Sequence, residues 1–363
     1  MLSESEIKQY SRHLLLNEVG EQGQLNLKKA SVIIVGAGGL GCPVLQYLVA
    51  AGVGKIGIVD NDVVDISNLQ RQVLYSHQSI GKNKALESKK ILKQLNPFIE
   101  INALDVCINA YNATSLLSDY DMVVDCTDNF SARYIINDAC VLLNKPLVYG
   151  AIYKFEGQVS VFNYNNGPTY RCLYPELPTK ATIPNCSEIG VLGVLPGIIG
   201  TLQANEVLKI ILKLGNPLIG KLFVYDALNN STHLITIEKQ EHPIYQKIKQ
   251  TQSLFQEDYT SESCSVKEED EISLSELKEL LTKEHVDLVD VRELWEEPKI
   301  KNYPVISAPL NELSTYINNI PKDKKVIVFC QKGIRSKAAI DKLKNEFKFT
   351  NLINLKDGIE HWK

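Results

Sequence analysis

Two runs of this sequence hold residue types that can do chemistry, one at phosphorus and one at sulfur. The first begins Gly36-Ala37-Gly38-Gly39-Leu40-Gly41, a GxGxxG run. Glycine lets a backbone approach a phosphate with no Cβ in the way, and a helix that follows offers free N–H groups and the positive end of its dipole. Asp60 stands about 20 residues beyond, where a carboxylate can hold ribose hydroxyls. On these residues alone a nicotinamide dinucleotide fits as well as ATP, and it is the commoner owner of the fingerprint. The next residues shift the balance. Asn68 and Arg71 lie in the run ending at Gln72, and Lys84 follows in GKNKA. A triphosphate carries more negative charge than a dinucleotide pyrophosphate, and attack at its α-phosphorus requires the leaving pyrophosphate to be neutralised. Either cation alone would read as a solvated surface charge. Asp125 and Asp128, in VVDCTDNF (123–130), fall at the C-terminal end of an apolar strand pattern, where ligands of open α/β sheets bind. A carboxylate there can hold the magnesium ion that bridges nucleotide phosphates, or merely cap the next helix. Motif position favours Asp128 for the metal.

The second run is VIVFC-QKGIRS, which puts Cys330 at the end of a buried strand and just ahead of a helix starting near Gly333. Backbone N–H groups of such a turn can form an anion nest, and Arg335 and the helix N-terminus add positive potential. Both favour a thiolate, and the same cradle would hold a persulfide anion. The plainer alternative is an inert cysteine at a strand end. The other seven cysteines, Cys42, Cys107, Cys126, Cys140, Cys172, Cys186 and Cys264, show no CxxC spacing. Most are expected to be small buried hydrophobes in a reducing compartment.

The elements that must position these residues are legible as apolar periodicities. Strand patterns at 31–35 and 55–60 flank the glycine run and a helix at 40–51, the signature of a parallel sheet covered on both faces. Further buried strands are predicted at 122–125 and 147–151. A more antiparallel part is predicted at 158–162 and 222–225, with a long helix at 200–214. Residues 6–17 read as a helix with Ile7, Tyr10, Leu14 and Leu15 on one side. Composition then turns polar and acidic, so 246–271 reads as a flexible linker between a first domain, 1–245, and a second, 272–363. As a flexible coil such a linker spans about 25–30 Å. The second domain shows helices at 274–281 and 333–347 and strands at 286–291, 326–330 and 352–355. The fold class is therefore α/β: a Rossmann-like domain with a mixed sheet, followed by a smaller α/β domain. The 363 residues carry a net charge of only −4 and 44% apolar residues, which gives no electrostatic case for nucleic acid. No uncharged stretch reaches membrane-spanning length, and the N-terminus is polar and acidic, so a cytoplasmic protein is expected.

Taken together, YSRHLLL (10–16), GAGGLG, DNDVVDISNLQRQ (60–72), DCTDN (125–129) and GVLGVLPGIIGTLQANEVLK (190–209) resemble the MoeB/ThiF adenylyltransferases, relatives of the ubiquitin-activating enzymes, over residues 5–238. The resemblance implies ATP and Mg²⁺ as cofactors, cradled at Gly36, Gly38, Gly39 and Gly41. It assigns ribose binding to Asp60, phosphate contacts to Asn68, Arg71 and Lys84, and the metal to Asp128. Arg12 matches an arginine that reaches into the neighbouring subunit's site, which implies a homodimer. The implied partner is a small β-grasp, ubiquitin-like sulfur carrier of the molybdopterin or thiamine type. It ends in Gly-Gly, and its terminal carboxylate is adenylated. Two positions depart from the pattern or leave a choice. Family members that bind structural zinc do so through two CxxC pairs. Here the first falls at Thr169-Tyr170-Arg171-Cys172, and the second, near 238–245, has no cysteine, so no structural zinc is expected and Cys172 should be buried and inert. Cys186 sits in the loop the family uses for a mobile cysteine near the acyl-adenylate. It is either a resolving thiol or a loop thiol without a role.

DLVDVRE (287–293), the Cys330 loop and LKDGIEHW (355–362) resemble a rhodanese domain. The loop Cys330–Arg335 has six residues, one fewer than in rhodanese-like phosphatases, which favours sulfur over phosphate. Cys330 and Arg335 would carry the sulfur transfer, with Asp290 and Arg292 acting structurally around the domain or, as an Asp-X-Arg pair, supporting the loop. A cysteine desulfurase or thiosulfate would supply the sulfur. The rival reading is an NAD(P)-dependent redox protein with a regulatory rhodanese domain.

Overall fold

The structure is a computed structural model that describes residues 1–178, 190–255, 259, 271–283, 286–360 and 362. The chain divides into two compact units, the first drawn from Met1–Leu177 and Asn185–Thr260, the second chiefly from Ser261–Lys363.

In the first unit, β-branched runs make the central strands: β1 (Ser31–Val35), β2 (Lys55–Val59), β3 (Glu100–Leu104), β4 (Met122–Asp125) and β5 (Leu147–Tyr153). They continue into β6 (Glu156–Phe162), β7 (Lys221–Asp226) and β8 (Ser231–Thr236), giving one eight-stranded sheet in the order β3-β2-β1-β4-β5-β6-β7-β8. Pairings from β3 to β5 are parallel and those from β5 to β8 antiparallel, the mixed sheet that the sequence predicts. The chain runs β1, β2, β3 to one side and returns with β4 on the other side of β1. The crevice beyond the C-terminal ends of β1 and β4 is thus the topological switch point. One face of the sheet packs against α1 (Gly41–Ala51) and α2 (Val194–Leu212), the other against α3 (Phe130–Leu143). Among the described residues α2 is the one helix long and apolar enough to cross a membrane. It carries Glu206 and Lys209 and lies against α1, β5 and β6 in the core. Gly200 makes that packing possible, since a Cβ there would come 2.4 Å from the Leu40 carbonyl oxygen.

Three expectations are corrected here. Residues 6–17 form two short helices, Glu4–Gln9 and Ser11–Leu14, broken at Tyr10. Tyr10 turns inward to bond Asn96 through its hydroxyl, while Ile7 and Leu15 stay exposed. The long helix starts at Val194 rather than 200: Gly193 is its N-cap, and Pro196 falls in the first turn, where a missing backbone N–H costs no helical hydrogen bond. Residues 246–251 are not linker. They complete α4 (Pro243–Thr251), whose Tyr245 and Ile248 are buried and whose Tyr245 hydroxyl donates to Thr169 Oγ1 at 2.7 Å. An amphipathic helix with only two buried positions has the composition of a linker, which is why it was hidden.

The second unit is a five-stranded parallel sheet in the order β11-β10-β12-β13-β9. Its strands are β9 (Glu271–Ile272), β10 (Asp287–Asp290), β11 (Val305–Ser307), β12 (Val326–Phe329) and β13 (Leu352–Leu355). Helices α5 (Leu274–Lys283) and α6 (Ile334–Phe347) cover it. Cys330 follows directly on β12.

Candidate active sites

A cleft of about 500 Å³ opens at the switch point of the first unit. Gly36, Gly38, Gly39, Asp60, Arg71, Lys84 and Asp128 line it, whereas Gly41, Asn68 and Arg12 do not. The four glycines divide by role. Gly36 has φ of 98°, and a Cβ there would lie 2.6 Å from the Cys126 carbonyl oxygen; one on Gly41 would lie 2.0 Å from the Gly36 carbonyl oxygen. These two fold the loop onto itself and onto the end of β4. A Cβ on Gly38 would meet only Gln72 Nε2, at 3.6 Å, so the bare backbone at this position faces the cleft.

Asp60, at the end of β2, accepts from the Ala37 N–H at 2.7 Å and the Asp62 N–H at 2.8 Å. Burial raises its carboxyl above the ordinary range, against the opposing pull of the Ala37 N–H and of Lys84. Lys84 opens the helix Lys84–Leu95 and is 6% exposed. Its Nζ lies 3.0 Å from Asp62 Oδ2, and the Asp62 side chain is 69% exposed. A buried cation whose partner is an exposed carboxylate can exchange that partner for a phosphate oxygen. Arg71 donates to the Ser67 carbonyl at 3.0 Å, and its stem runs beside Gly39. Asn68 is spent locally: its side-chain oxygen accepts from the Asp65 N–H at 3.2 Å within a single helical turn, and its carbonyl accepts from the N–H groups of Arg71 and Gln72.

The two carboxylates after β4 separate cleanly. Asp125 is buried, accepts from the Thr127 N–H and hydroxyl at 2.9 and 2.7 Å, and is raised by burial against the opposing charge of Arg133. Asp128 is exposed in the cleft. The helix cap belongs to neither, since Asn129 accepts from the Ala132 N–H at 2.9 Å. Among the described residues no three His, Cys, Asp or Glu side chains converge as a metal cage. Magnesium held by one carboxylate and the substrate's own phosphates needs no such cage, so Asp128 fits it. Sequence reasoning missed Tyr75, whose hydroxyl donates to the Ala37 carbonyl at 2.8 Å and meets Ser88 Oγ at 2.9 Å, tying the glycine loop to the Lys84 helix. No local signal marks it. It also missed Gln72 and Arg133, both buried at the cleft wall.

Arg12 is exposed on Ser11–Leu14. Cys172 is half-buried rather than buried, and its Sγ contacts the Thr169 N–H and both backbone polar groups of Gln240, each at 3.3 Å. Cys186 lies outside the described residues.

In the second unit Cys330 is 1% exposed. Gly333, with φ of 79°, is the cap of α6, which begins at Ile334. The Ser336 hydroxyl lies 3.5 Å from Cys330 Sγ and donates to Asn354 Oδ1 at 2.6 Å. Arg292 is fully enclosed. It binds Asp290 through Nε and Nη2 at 3.0 and 2.9 Å and the loop residue Gln331 through Nη1 at 3.0 Å. Asp290 and Arg292 therefore hold the loop from beneath. Arg335 does not stand alone: its Nη1 and Nη2 reach the two oxygens of Glu296 at 2.6 and 2.7 Å.

A glycine-loop cleft with facing cations and a cysteine loop on a separate parallel sheet define a nucleotide-dependent enzyme joined to a sulfur-handling domain. The ThiF family model matches residues 10–246 and the rhodanese-like domain model residues 273–363. The chain belongs to the ThiF family and carries a C-terminal rhodanese-like domain. It is 51% identical over 242 residues to the sulfur carrier protein adenylyltransferase of Thermus thermophilus, covering 65% of this chain and 89% of the relative. Over nearly its whole length, 99% of this chain and 94% of the relative, it is 39% identical to the probable adenylyltransferase/sulfurtransferase MoeZ of Mycobacterium tuberculosis. Among solved structures, E. coli MccB with ATP matches with a TM-score of 0.56 at 25% identity, covering 66% of this chain and 73% of that one.

Proposed function

We propose that the chain uses Mg·ATP to adenylate the C-terminal glycine carboxylate of a ubiquitin-like sulfur-carrier protein, and that its rhodanese domain supplies persulfide sulfur to the activated carboxylate. The names of the two relatives support both halves of this reading. The observation that carries the first half is the cleft itself, with Lys84, Arg71 and Asp128 facing an open glycine loop.

The carrier's carboxylate is already ionised, so it attacks the α-phosphorus without a general base, and pyrophosphate leaves. Lys84 and Arg71 stabilise the charge that develops on it, joined by Arg12 from the second subunit of a homodimer. Asp60 orients the ribose, Asn68 contributes through the turn that presents Arg71, and Asp128 holds Mg²⁺, which neutralises phosphate charge when bound. The product is an acyl-adenylate. The terminal sulfur of a Cys330 persulfide attacks its carbonyl carbon and AMP leaves, forming an acyl disulfide. Cys186 thiolate then attacks the Cys330 sulfur, the thiocarboxylate departs with the electron pair, and a Cys186–Cys330 disulfide remains for an external thiol to reduce. The backbone N–H groups of the loop and the N-terminus of α6 favour the anionic sulfur of the persulfide, with Arg335 held beside them by Glu296. A cytoplasmic setting suits this thiol chemistry. The expectation of no structural zinc rests on the absent CxxC partners, since Thr169 stands where a ligand would be and 238–245 holds no cysteine.

ATP–pyrophosphate exchange dependent on the carrier tests the first half. A redox enzyme that binds nicotinamide would incorporate no labelled pyrophosphate. Mass spectrometry of the carrier after incubation with ATP and a sulfur donor tests the second. Thiocarboxylate should form with the natural chain and be absent, with adenylate still made, in Cys330→Ala; normal thiocarboxylation by that variant sinks the sulfur role.

A further inference from the structure

The sulfur loop carries Lys332 and Arg335 and rests on Arg292, and each of these cations faces a carboxylate. Arg292 Nη2 lies 2.9 Å from Asp290 Oδ2, and Lys332 Nζ lies 4.0 Å from Glu360 Oε1. Arg335, the residue that closes the loop, is gripped at both terminal nitrogens by Glu296, at 2.6 and 2.7 Å. That pair is the geometrically strong one. It is a parallel two-point bond, its side chains are only 18% and 14% exposed, and Glu296 Oε1 also accepts from the Glu293 N–H at 2.8 Å. Burial alone would raise the Glu296 carboxyl; the Arg335 hydrogen bonds, the Glu293 N–H and the guanidinium charge outweigh it and hold the group below its ordinary range. Glu296 is therefore a fixed negative charge bonded to the loop's own arginine.

We propose that Glu296 sets the class of sulfur donor: it disfavours dianionic oxyanion donors of the thiosulfate type and leaves the loop suited to a persulfide carried on a thiol. The inference rests on the sulfurtransferase reading above. With thiosulfate, Cys330 thiolate attacks the sulfane sulfur, the S–S bond to the sulfonate breaks, and sulfite leaves with the electron pair. The sulfonate oxygens need an available guanidinium in the ground state and carry a full charge away. Arg335 can serve them only by giving up a carboxylate already seated in its fork, and that carboxylate repels the incoming dianion. With a persulfide R–S–S⁻, the same thiolate attacks the outer sulfur and R–S⁻ leaves. No oxyanion has to be seated, and the Glu296–Arg335 pair stays closed.

The test uses the full chain with two probes, thiosulfate and cysteine persulfide, and follows persulfide formation on Cys330 by mass spectrometry together with the steady-state KM and kcat for each donor. The natural chain should prefer cysteine persulfide in kcat/KM by about tenfold or more. Glu296→Gln should lower the KM for thiosulfate by about tenfold and change kcat/KM for cysteine persulfide by no more than about threefold. Glu296→Asp, which keeps the charge, should keep the discrimination. A purely structural Glu296 would move both donors alike. The proposal is overturned if the natural chain uses thiosulfate as well as the persulfide, or if Glu296→Gln raises the thiosulfate KM, which would make Glu296 a positioning residue for an oxyanion-binding Arg335. Should Glu296→Gln fail to fold, the donor preference of the natural chain decides alone. Absence of Cys330 persulfide with both donors would instead refute the sulfurtransferase reading itself.

Discussion

The two units place positive charge in opposite ways. In the first, Lys84 is buried with its partner carboxylate exposed, and Arg71 donates to a neutral carbonyl, so both cations can take up a ligand that arrives with charge of its own. In the second, Arg292 and Arg335 are each closed by a two-point carboxylate bond, and the reactive cysteine, Cys330, is 1% exposed. A site that must neutralise a leaving pyrophosphate keeps its cations exchangeable. A site that must hold one polarisable sulfur keeps its loop rigid and nearly neutral.

The sharpest way to break this contrast is to remove one key group on each side. Lys84→Ala should lower pyrophosphate exchange by about 10²–10³-fold and leave persulfide loading of Cys330 intact. Cys330→Ser should do the reverse, abolishing persulfide loading with exchange preserved. Coupled losses in both assays would mean the two chemistries are not separable. Next come the glycines. Gly41→Ala forces a Cβ to within 2.0 Å of the Gly36 carbonyl oxygen and should destabilise the first unit by about 3 kcal/mol in denaturant unfolding, whereas Gly38→Ala, with only Gln72 Nε2 at 3.6 Å, should keep its stability and weaken ATP binding. Equal melting of the two variants would show that the loop is not packed as described. A smaller effect separates the cysteines. Cys172→Ala loses sulfur hydrogen bonds to Thr169 and Gln240 and should cost about 1 kcal/mol, with or without a zinc chelator.

The smallest effect is in pH, and its sign differs between the units. Asp60 is raised on folding, so its contribution to stability is present below the ordinary aspartate pKa and is lost as pH rises through the folded value. Glu296 is lowered on folding, so its contribution is present above the ordinary glutamate pKa and is lost as pH falls through the folded value. Unfolding measured against pH should therefore show Asp60→Asn gaining relative to the natural chain as pH rises from acid to neutral, and Glu296→Gln losing. The same slope in both variants would contradict the burial and pairing described for them.

Much of this was legible early because it rests on local rules. The strand at Ser31–Val35, the glycine run and the strand ending before Asp60 are adjacent in sequence and follow from apolar period and turn chemistry. The Cys330 loop is six consecutive residues. The helix at Pro243–Thr251 was hidden because its buried Tyr245 acquires meaning only when Thr169 and Asn137 are beside it. The same holds for Tyr75, which matters through bonds to residues 38 positions earlier and 13 later, and for Glu296, whose partner Arg335 is 39 residues away.

By itself, then, the sequence determined which chemistries were available: glycines for a phosphate, cations and Asp128 for its charge, and a cysteine at a strand end for sulfur. Only the tertiary structure decided which of those groups remain available to a ligand. It shut Asp125 under Thr127, spent Asn68 on a turn, left Lys84 facing an exposed partner and closed Arg335 with Glu296. The reason is that residue type and spacing fix what a side chain can do, while its exposure and charge partner are set by distant chain segments that folding brings against it.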